Sequence, residues 1–151
     1  MSRPYVPAEL RRLVFKRARG CCEYCRCQVR YSPGSFHIEH IHPVELGGAT
    51  SAENLALACQ GCNSHEYTKT IAHDPATALP VALFHPREQN WADHFGWNED
   101  CSLVLGLTPS GRATVIALQL NRERVVNLRR VLYQAHEHPP EILLAEILPE
   151  L

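Results

Sequence analysis

Cys22-Glu23-Tyr24-Cys25, then Phe36-His37-Ile38-Glu39-His40-Ile41-His42-Pro43, then Cys59-Gln60-Gly61-Cys62 is the succession that decides the fold. Two thiols at i and i+3 on a tight knuckle can approach one ion. Two such knuckles, Cys22/Cys25 and Cys59/Cys62, complete a closed tetrahedral zinc site of structural type. Between them the chain displays Glu39, a hard oxygen ligand, beside His40, a base that titrates near neutral pH. The spacing predicts a zinc-stapled scaffold that presents the groups a metal-dependent hydrolytic centre needs.

Outward from the knuckles, Pro7-Ala8-Glu9 opens a helix, and Leu10, Leu13, Val14 and Ala18 keep helical spacing to about Arg19, where Gly20 stops it. Phe36 to Ile41 alternates as a short strand, Gly47-Gly48 marks a loop, and Leu55-Ala56-Leu57-Ala58 is a second strand ending at Cys59. A helix over Gly61 to about Ile71 would carry Cys62, Asn63 and Glu66, the last two on one face at i and i+3. His73-Asp74-Pro75 to Pro80 reads as a linker, which divides the chain into a core (1–75) and an extension packed on it (76–151). In the extension Val81 to His85 reads as a strand. Ser102–Leu107 and Ala113–Leu118, flanking Thr108-Pro109-Ser110-Gly111, read as a β-hairpin. Asn121 is the expected N-cap of a helix with Val125, Leu128, Val131-Leu132 and Ala135 on one side. The tail, 141–151, reads as a short acidic amphipathic helix. Trp91, Phe95 and Trp97 form either the core of this lobe or a base-stacking surface.

Bulk composition sets limits. An apolar share of 45% supports a packed core. Without an apolar run long enough to cross a bilayer or an apolar leader, no membrane role is expected and the cytoplasm is the default location. There, seven cysteines read as metal ligands and free thiols rather than disulfides. Cys21 and Cys27 either compete for the metal or, with Cys101, serve as small buried thiols. A net charge of −1 argues against a generic nucleic-acid binder, but the charge is unevenly distributed. Arg3, Arg11, Arg12, Lys16, Arg17, Arg19, Arg26 and Arg30 face only Glu9 and Glu23 in the first thirty residues, whereas Tyr31 to His65 holds Glu39, Glu45 and Glu53 and no Lys or Arg. A basic arm beside an acidic, cation-seeking centre suits a phosphodiester, with Arg17, Arg19, Arg26 and Arg30 as candidate phosphate contacts or as a solvated face.

Taken together, Cys22-x-x-Cys25, Glu39-His40-x-x-Pro43, Gly47-Gly48, Asn54-Leu55 and Cys59-x-x-Cys62-Asn63 resemble the HNH endonuclease family in its zinc-stapled form, over Val6 to about Thr70. The later segments Phe84-His85-Pro86-Arg87, Trp91-Ala92-Asp93-His94-Phe95 and Leu107 to Thr114 look like uncharacterised bacterial members. The resemblance implies an α+β fold, a ββα-metal core stapled by a four-cysteine zinc site with a C-terminal β-hairpin and helix lobe. It also implies hydrolysis of DNA phosphodiesters with one Mg²⁺ or Mn²⁺. On that likeness His40 is the general base, Glu39 and Asn63 are ligands of the catalytic ion, and Asn54 ties the loop to the strand bearing the base. Glu39 stands where relatives more often have Asp or His, and Glu66 where many have Lys. His37, two residues before Glu39, either shares its face as a further ligand or is a solvated strand residue. Two alternatives to a DNA endonuclease stand beside it: a non-catalytic zinc-stapled module binding nucleic acid or protein, and an RNA-directed nuclease.

Overall fold

The structure, a computed structural model, describes residues 4–66 and 69–140, without the side chains of residues 65 and 66. The expected tail helix at 141–151 and the face presented by Glu66 therefore lie outside the described residues. Helix α1 (Ala8–Ala18) begins after Pro7 and ends at Arg19 and Gly20, both left-handed at φ 54° and 68°. Its buried side is Val14 and Ala18, which pack with Val6, Leu55 and Leu57.

Strands β1 (Phe36–His40) and β2 (Leu55–Cys59) form the central antiparallel hairpin, in register from Phe36 opposite Cys59 to His40 opposite Leu55. Side chains alternate across such a ribbon. Leu55 and Leu57 face α1, whereas Ala56 and Ala58 share a buried cluster with Cys22, Tyr24, Cys25, Cys59 and Cys62. Every residue of β2 is buried, because the hairpin is covered on both faces. Helix α2 (Gln60–Glu66) follows directly. It stops short of the expected end, since Ile71 belongs to a strand.

That strand, β3 (Ile71–His73), pairs antiparallel with β4 (Pro80–Ala82). The stretch expected as a linker is thus a hairpin turn built around Asp74, which is fully buried. Its carboxylate accepts the Ala76 N–H (3.1 Å), the Thr77 hydroxyl (3.0 Å) and a two-pronged bond from Arg112 (2.9 and 2.8 Å).

Farther on lie α3 (Trp91–His94), β5 (Phe95–Trp97), β6 (Val104–Gly106), α4 (Pro109–Ala117) and α5 (Glu123–Gln134). A C-terminal hairpin is present, but its strands are β5 and β6. The second strand expected at Ala113–Leu118 is instead helical. Thr108 is extended and its hydroxyl accepts the Gly111 N–H at 3.0 Å, with Pro109 in the first turn. Residues that resemble a turn thus act as a helix start, a cap worth about 1 kcal/mol. Asn121 does not cap α5. Arg122 occupies that position, and the Asn121 amide pairs with both backbone groups of Val104 (2.8 and 2.9 Å). The buried line of α5 is Val126, Arg129 and Leu132, with Val131 left 66% exposed.

The two halves of the chain share one core. Tyr24 meets Phe84 edge-on at 6.4 Å, Phe84 meets Phe95 at 5.1 Å, and Leu118 and Leu120 close the cluster. Each such aromatic pair adds about 0.5–1.5 kcal/mol beyond area burial.

Asp74 provides a pH test. Arg112 holds its carboxyl well below the usual carboxylate range, chiefly through the paired hydrogen bonds. A folded-state pKa below the unfolded value contributes stability that is present above about pH 4 and lost as pH falls through the folded value. Asp74→Asn should lower the melting temperature at pH 7, and the gap to wild type should narrow below about pH 4 in thermal melts across pH.

Candidate functional site

The first knuckle is shaped by backbone bonds. The Cys22 N–H donates to the Cys27 carbonyl (2.9 Å) and the Arg26 N–H to the Cys22 carbonyl (3.1 Å), with Arg26 at φ 64° making the turn. Glu23 stitches this knuckle to β2: its N–H donates to Leu57 O (2.9 Å), and its carboxylate accepts the Leu57 N–H (2.8 Å). The second knuckle is the junction of β2 and α2, where the Cys62 N–H points at the Cys59 sulfur (3.5 Å). As a result the sulfurs of Cys22, Cys25, Cys59 and Cys62 all lie within 4.8 Å of one another, and all four residues are buried. Cys25 and Cys59 sulfurs are 3.6 Å apart. A tetrahedron with Zn–S of about 2.3 Å needs S–S edges of about 3.8 Å, so this donor set fits structural zinc in chemistry and in size.

Cys27 stands at the rim of this set, its sulfur 3.3 Å from that of Cys25, but outside the four that converge. Cys21 is buried elsewhere, and burial pushes its thiol up to about 11, so it remains protonated at neutral pH.

Four thiolates around a divalent ion leave a net charge of −2, which burial makes costly unless a cation is near. Arg122 supplies one. Its guanidinium donates to the Cys59 sulfur (3.4 Å) and to the Cys62 sulfur (3.6 and 3.8 Å), and it is braced by the carbonyls of Leu118 and Gln119 (both 3.0 Å). Burial lowers the pKa of this group, but the combined charge of Cys62, Cys25 and Cys59 outweighs it and raises the value. Gly61 makes the approach possible, because a Cβ there would sit 2.5–2.7 Å from Arg122 atoms. Arg129 lies behind it, buried, donating to the carbonyls of Cys25 (3.2 Å), Leu120 (2.8 Å) and Ser102 (3.0 Å). Sequence reasoning did not find these two arginines. The only local trace of Arg122 is the glycine between Cys59 and Cys62.

At the far end of the hairpin, Asn54 locks the loop that follows β1. Its side chain accepts the His42 N–H (2.8 Å) and donates to His42 O (3.0 Å) and Ala49 O (2.8 Å). Gly48 is needed there, since a Cβ would fall 1.8 Å from the His42 carbonyl oxygen. His40, the last residue of β1, places Nε2 2.8 Å from the Thr50 hydroxyl. Burial lowers its pKa, against an opposing pull from Glu45, so the imidazole is neutral at pH 7. His42 instead bonds the Leu46 carbonyl (3.0 Å).

Glu39 leaves the strand on the other face from His40. β1 stays regular there, with pairing unbroken through Glu39 opposite Ala56 and His40 opposite Leu55. Glu39 shares its face with His37 and with the alanines that pack against the Cys62 end of α2, the helix bearing Asn63. It is 5% exposed and accepts the Tyr24 hydroxyl. Glu39 and His37 thus share one face of β1, Asn63 lies on α2, and His40 stands with Asn54 at the other end of the hairpin.

The candidate phosphate contacts have diverse surroundings. Arg17 donates to the Leu55 carbonyl, Arg26 lies over the Trp91 ring at 4.9 Å, and Arg30 pairs with Glu137 (2.8 Å) at the surface. Arg19 is exposed at the end of α1.

A family model described as HNH endonuclease matches residues 22–69, the segment from the first knuckle through α2. Over this segment the chain is similar to the HNH endonuclease family, whose members are generally nucleases. No curated protein and no solved structure matches the chain. Among the described residues no helix is long and apolar enough to cross a membrane.

Arg122→Met should leave zinc stoichiometry at one per chain but speed extraction by a chelator. Loss of a group that hydrogen-bonds metal ligands typically costs about 10–100-fold in affinity. Zinc release followed with a chromogenic indicator checks this, and Arg122→Lys should fall between Arg122→Met and wild type.

Proposed function

We propose that this chain is a metal-dependent DNA endonuclease that hydrolyses phosphodiesters with His40 as general base. The observation that carries the reading is the placement of the His40 imidazole at the end of β1, bonded to Thr50 and beside a loop that Asn54 holds at three points. A base must be unprotonated at the working pH and fixed near its water, and burial with the Thr50 bond supports both. The Thr50 hydroxyl occupies the place that an attacking water would take against Nε2. Where Thr50 donates, Nε2 is the basic nitrogen and Nδ1 bears the proton.

A catalytic ion fits the donor chemistry on the α2 side: the Glu39 carboxylate, the Asn63 amide and, as a further ligand, His37 would hold Mg²⁺ or Mn²⁺. When bound, such an ion supplies charge neutralisation at the phosphate and at the leaving oxygen. Tyr24 orients the Glu39 carboxylate by donating to it. Exposed bases at the surface of α1, Arg11, Arg12, Lys16 and Arg19, favour a polyanion, and DNA is the proposed partner.

The burial of Glu39 against Tyr24 favours a second reading, a zinc-stapled module that binds nucleic acid without cutting it. Plasmid relaxation in Mg²⁺ or Mn²⁺ separates the two. Wild type should nick, and His40→Ala should lose about 10²–10⁴-fold in rate with an unchanged melting temperature. A folded, zinc-loaded wild type that binds the plasmid and never nicks it would establish the module instead. Cys59→Ser should fail to fold, because structural zinc binding is itself folding energy.

The pH profile gives an independent check on the base. The acid limb of kcat/KM should have its midpoint below the ordinary imidazole value of about 6.5, since burial lowers the His40 pKa. A midpoint above that value would remove His40 from the role.

A further inference from the structure

Between the end of α1, the first knuckle and the aromatic wall of the lobe lies a cavity of about 350 Å³, bordered by Arg17, Glu23, Arg26, Arg87, Trp91 and Trp97. Such a volume is typical of a small-ligand site. Its electrostatics are uneven. Both Glu23 oxygens are engaged, one with Arg87 and one with the Leu57 N–H. Arg17 donates to the neutral Leu55 carbonyl, and Glu53 acts on it from a distance. The Nε–H groups of Arg17 and Arg87 are both buried with no acceptor among the described residues, and the two like charges act on each other. Two guanidinium groups on the border of one cavity, with Glu23 the one acid beside them and already paired to Arg87, favour an anion with several oxygens there.

The wall beside them is aromatic and rigid. The Trp91 indole N–H donates to the Tyr24 carbonyl (2.8 Å), the two indole rings lie 5.4 Å apart at 38°, and Arg129 stands over Trp97 at 5.3 Å. Arg26 lies over the Trp91 ring at 4.9 Å, so a planar ring would stack here once that side chain swings aside to meet its phosphate. A nucleotide offers a planar ring and a phosphate within a volume of this size. A base paired inside a duplex cannot enter, because it is stacked on both sides.

We infer that this cavity binds one unstacked nucleotide of a single-stranded segment, with phosphate on Arg17 and Arg87 and the base against Trp91 and Trp97. The inference rests on the nuclease reading for its partner and narrows it to substrates with unpaired nucleotides. Arg17 links the two places, since it donates to the carbonyl of Leu55, the residue opposite His40 in the hairpin.

The protein has two tryptophans, both on this wall, so intrinsic fluorescence reports the cavity directly. Titration of the zinc-loaded full chain with oligodeoxythymidylate and with oligouridylate should quench the emission saturably in at least one arm. A blunt oligo(dA)·oligo(dT) duplex at equal phosphate should quench much less, and polyglutamate should not quench. Arg87→Gln should weaken single-strand affinity about tenfold, equivalent to about 1.4 kcal/mol. Arg26→Gly, suited to the left-handed backbone there (φ 64°), should also weaken it while preserving the fold. Absence of quenching by either single strand, equal quenching by duplex, or equal quenching by polyglutamate overturns the inference. Plasmid nicking without single-strand quenching defeats this site and leaves the nuclease standing. Quenching without nicking does the reverse.

Discussion

Convergence of four sulfurs at one point is the constraint on which the molecule depends. One pair precedes β1 and the other ends β2 and starts α2, so fixing the sulfurs fixes the end of the hairpin where β1 begins and β2 finishes, together with the helix that follows. The energies rank the contributions. Structural zinc binding in small domains is worth about 10–16 kcal/mol, comparable to or above the whole net stability of a domain, about 5–15 kcal/mol. Aromatic pairs and helix caps, at about 1 kcal/mol each, adjust a balance that the metal dominates. The Phe36/Cys59 end of the hairpin is therefore fixed, and the opposite end, with His40 and the loop held by Asn54, is where chemistry can be displayed.

The same centre explains why the C-terminal half is not an appendage. A tetrathiolate site carries excess negative charge, and the guanidinium that answers it comes from Arg122, some sixty residues beyond its sulfur partners. Arg129 from α5 holds the backbone of the first knuckle at Cys25. Detaching the lobe would remove both, and would expose Phe84 and Phe95, which complete the cluster around Tyr24.

What the sequence made legible was what local chemistry writes. The knuckles, α1 with its left-handed stop at Gly20, β1, β2 and the Gly47-Gly48 loop depend on residues near in sequence. Asn54 was picked out as a loop tie by the likeness to the HNH family, and an amide, offering donor and acceptor together, suits that part. The failures were non-local. Thr108-Pro109-Ser110-Gly111 suits a turn or a helix start, and Thr114-Val115-Ile116 favours a strand by propensity. Burial of Ala113 and Thr114, and the bond from the Phe84 N–H to the Thr114 hydroxyl (2.9 Å), decide for the helix. Asp74 looked like a linker residue because its partner, Arg112, lies far along the chain. Nor could the sequence indicate that β1 stays regular through Glu39 and His40, which puts the acid and the base on opposite faces.

Net charge was a poor guide to the field outside. Glu23 and Glu39 are buried, one against Arg87 and the other accepting from Tyr24, and Asp74 is consumed by Arg112. A charge matched inside the protein contributes little beyond a Debye length of about 8–10 Å. Arg11, Arg12, Lys16 and Arg19 stay at the surface of α1, so the field near that helix is more basic than a formal total of −1 implies. The half of the chain that binds metal through sulfur thus hides several of its acids, and an approaching polyanion meets the arginines first.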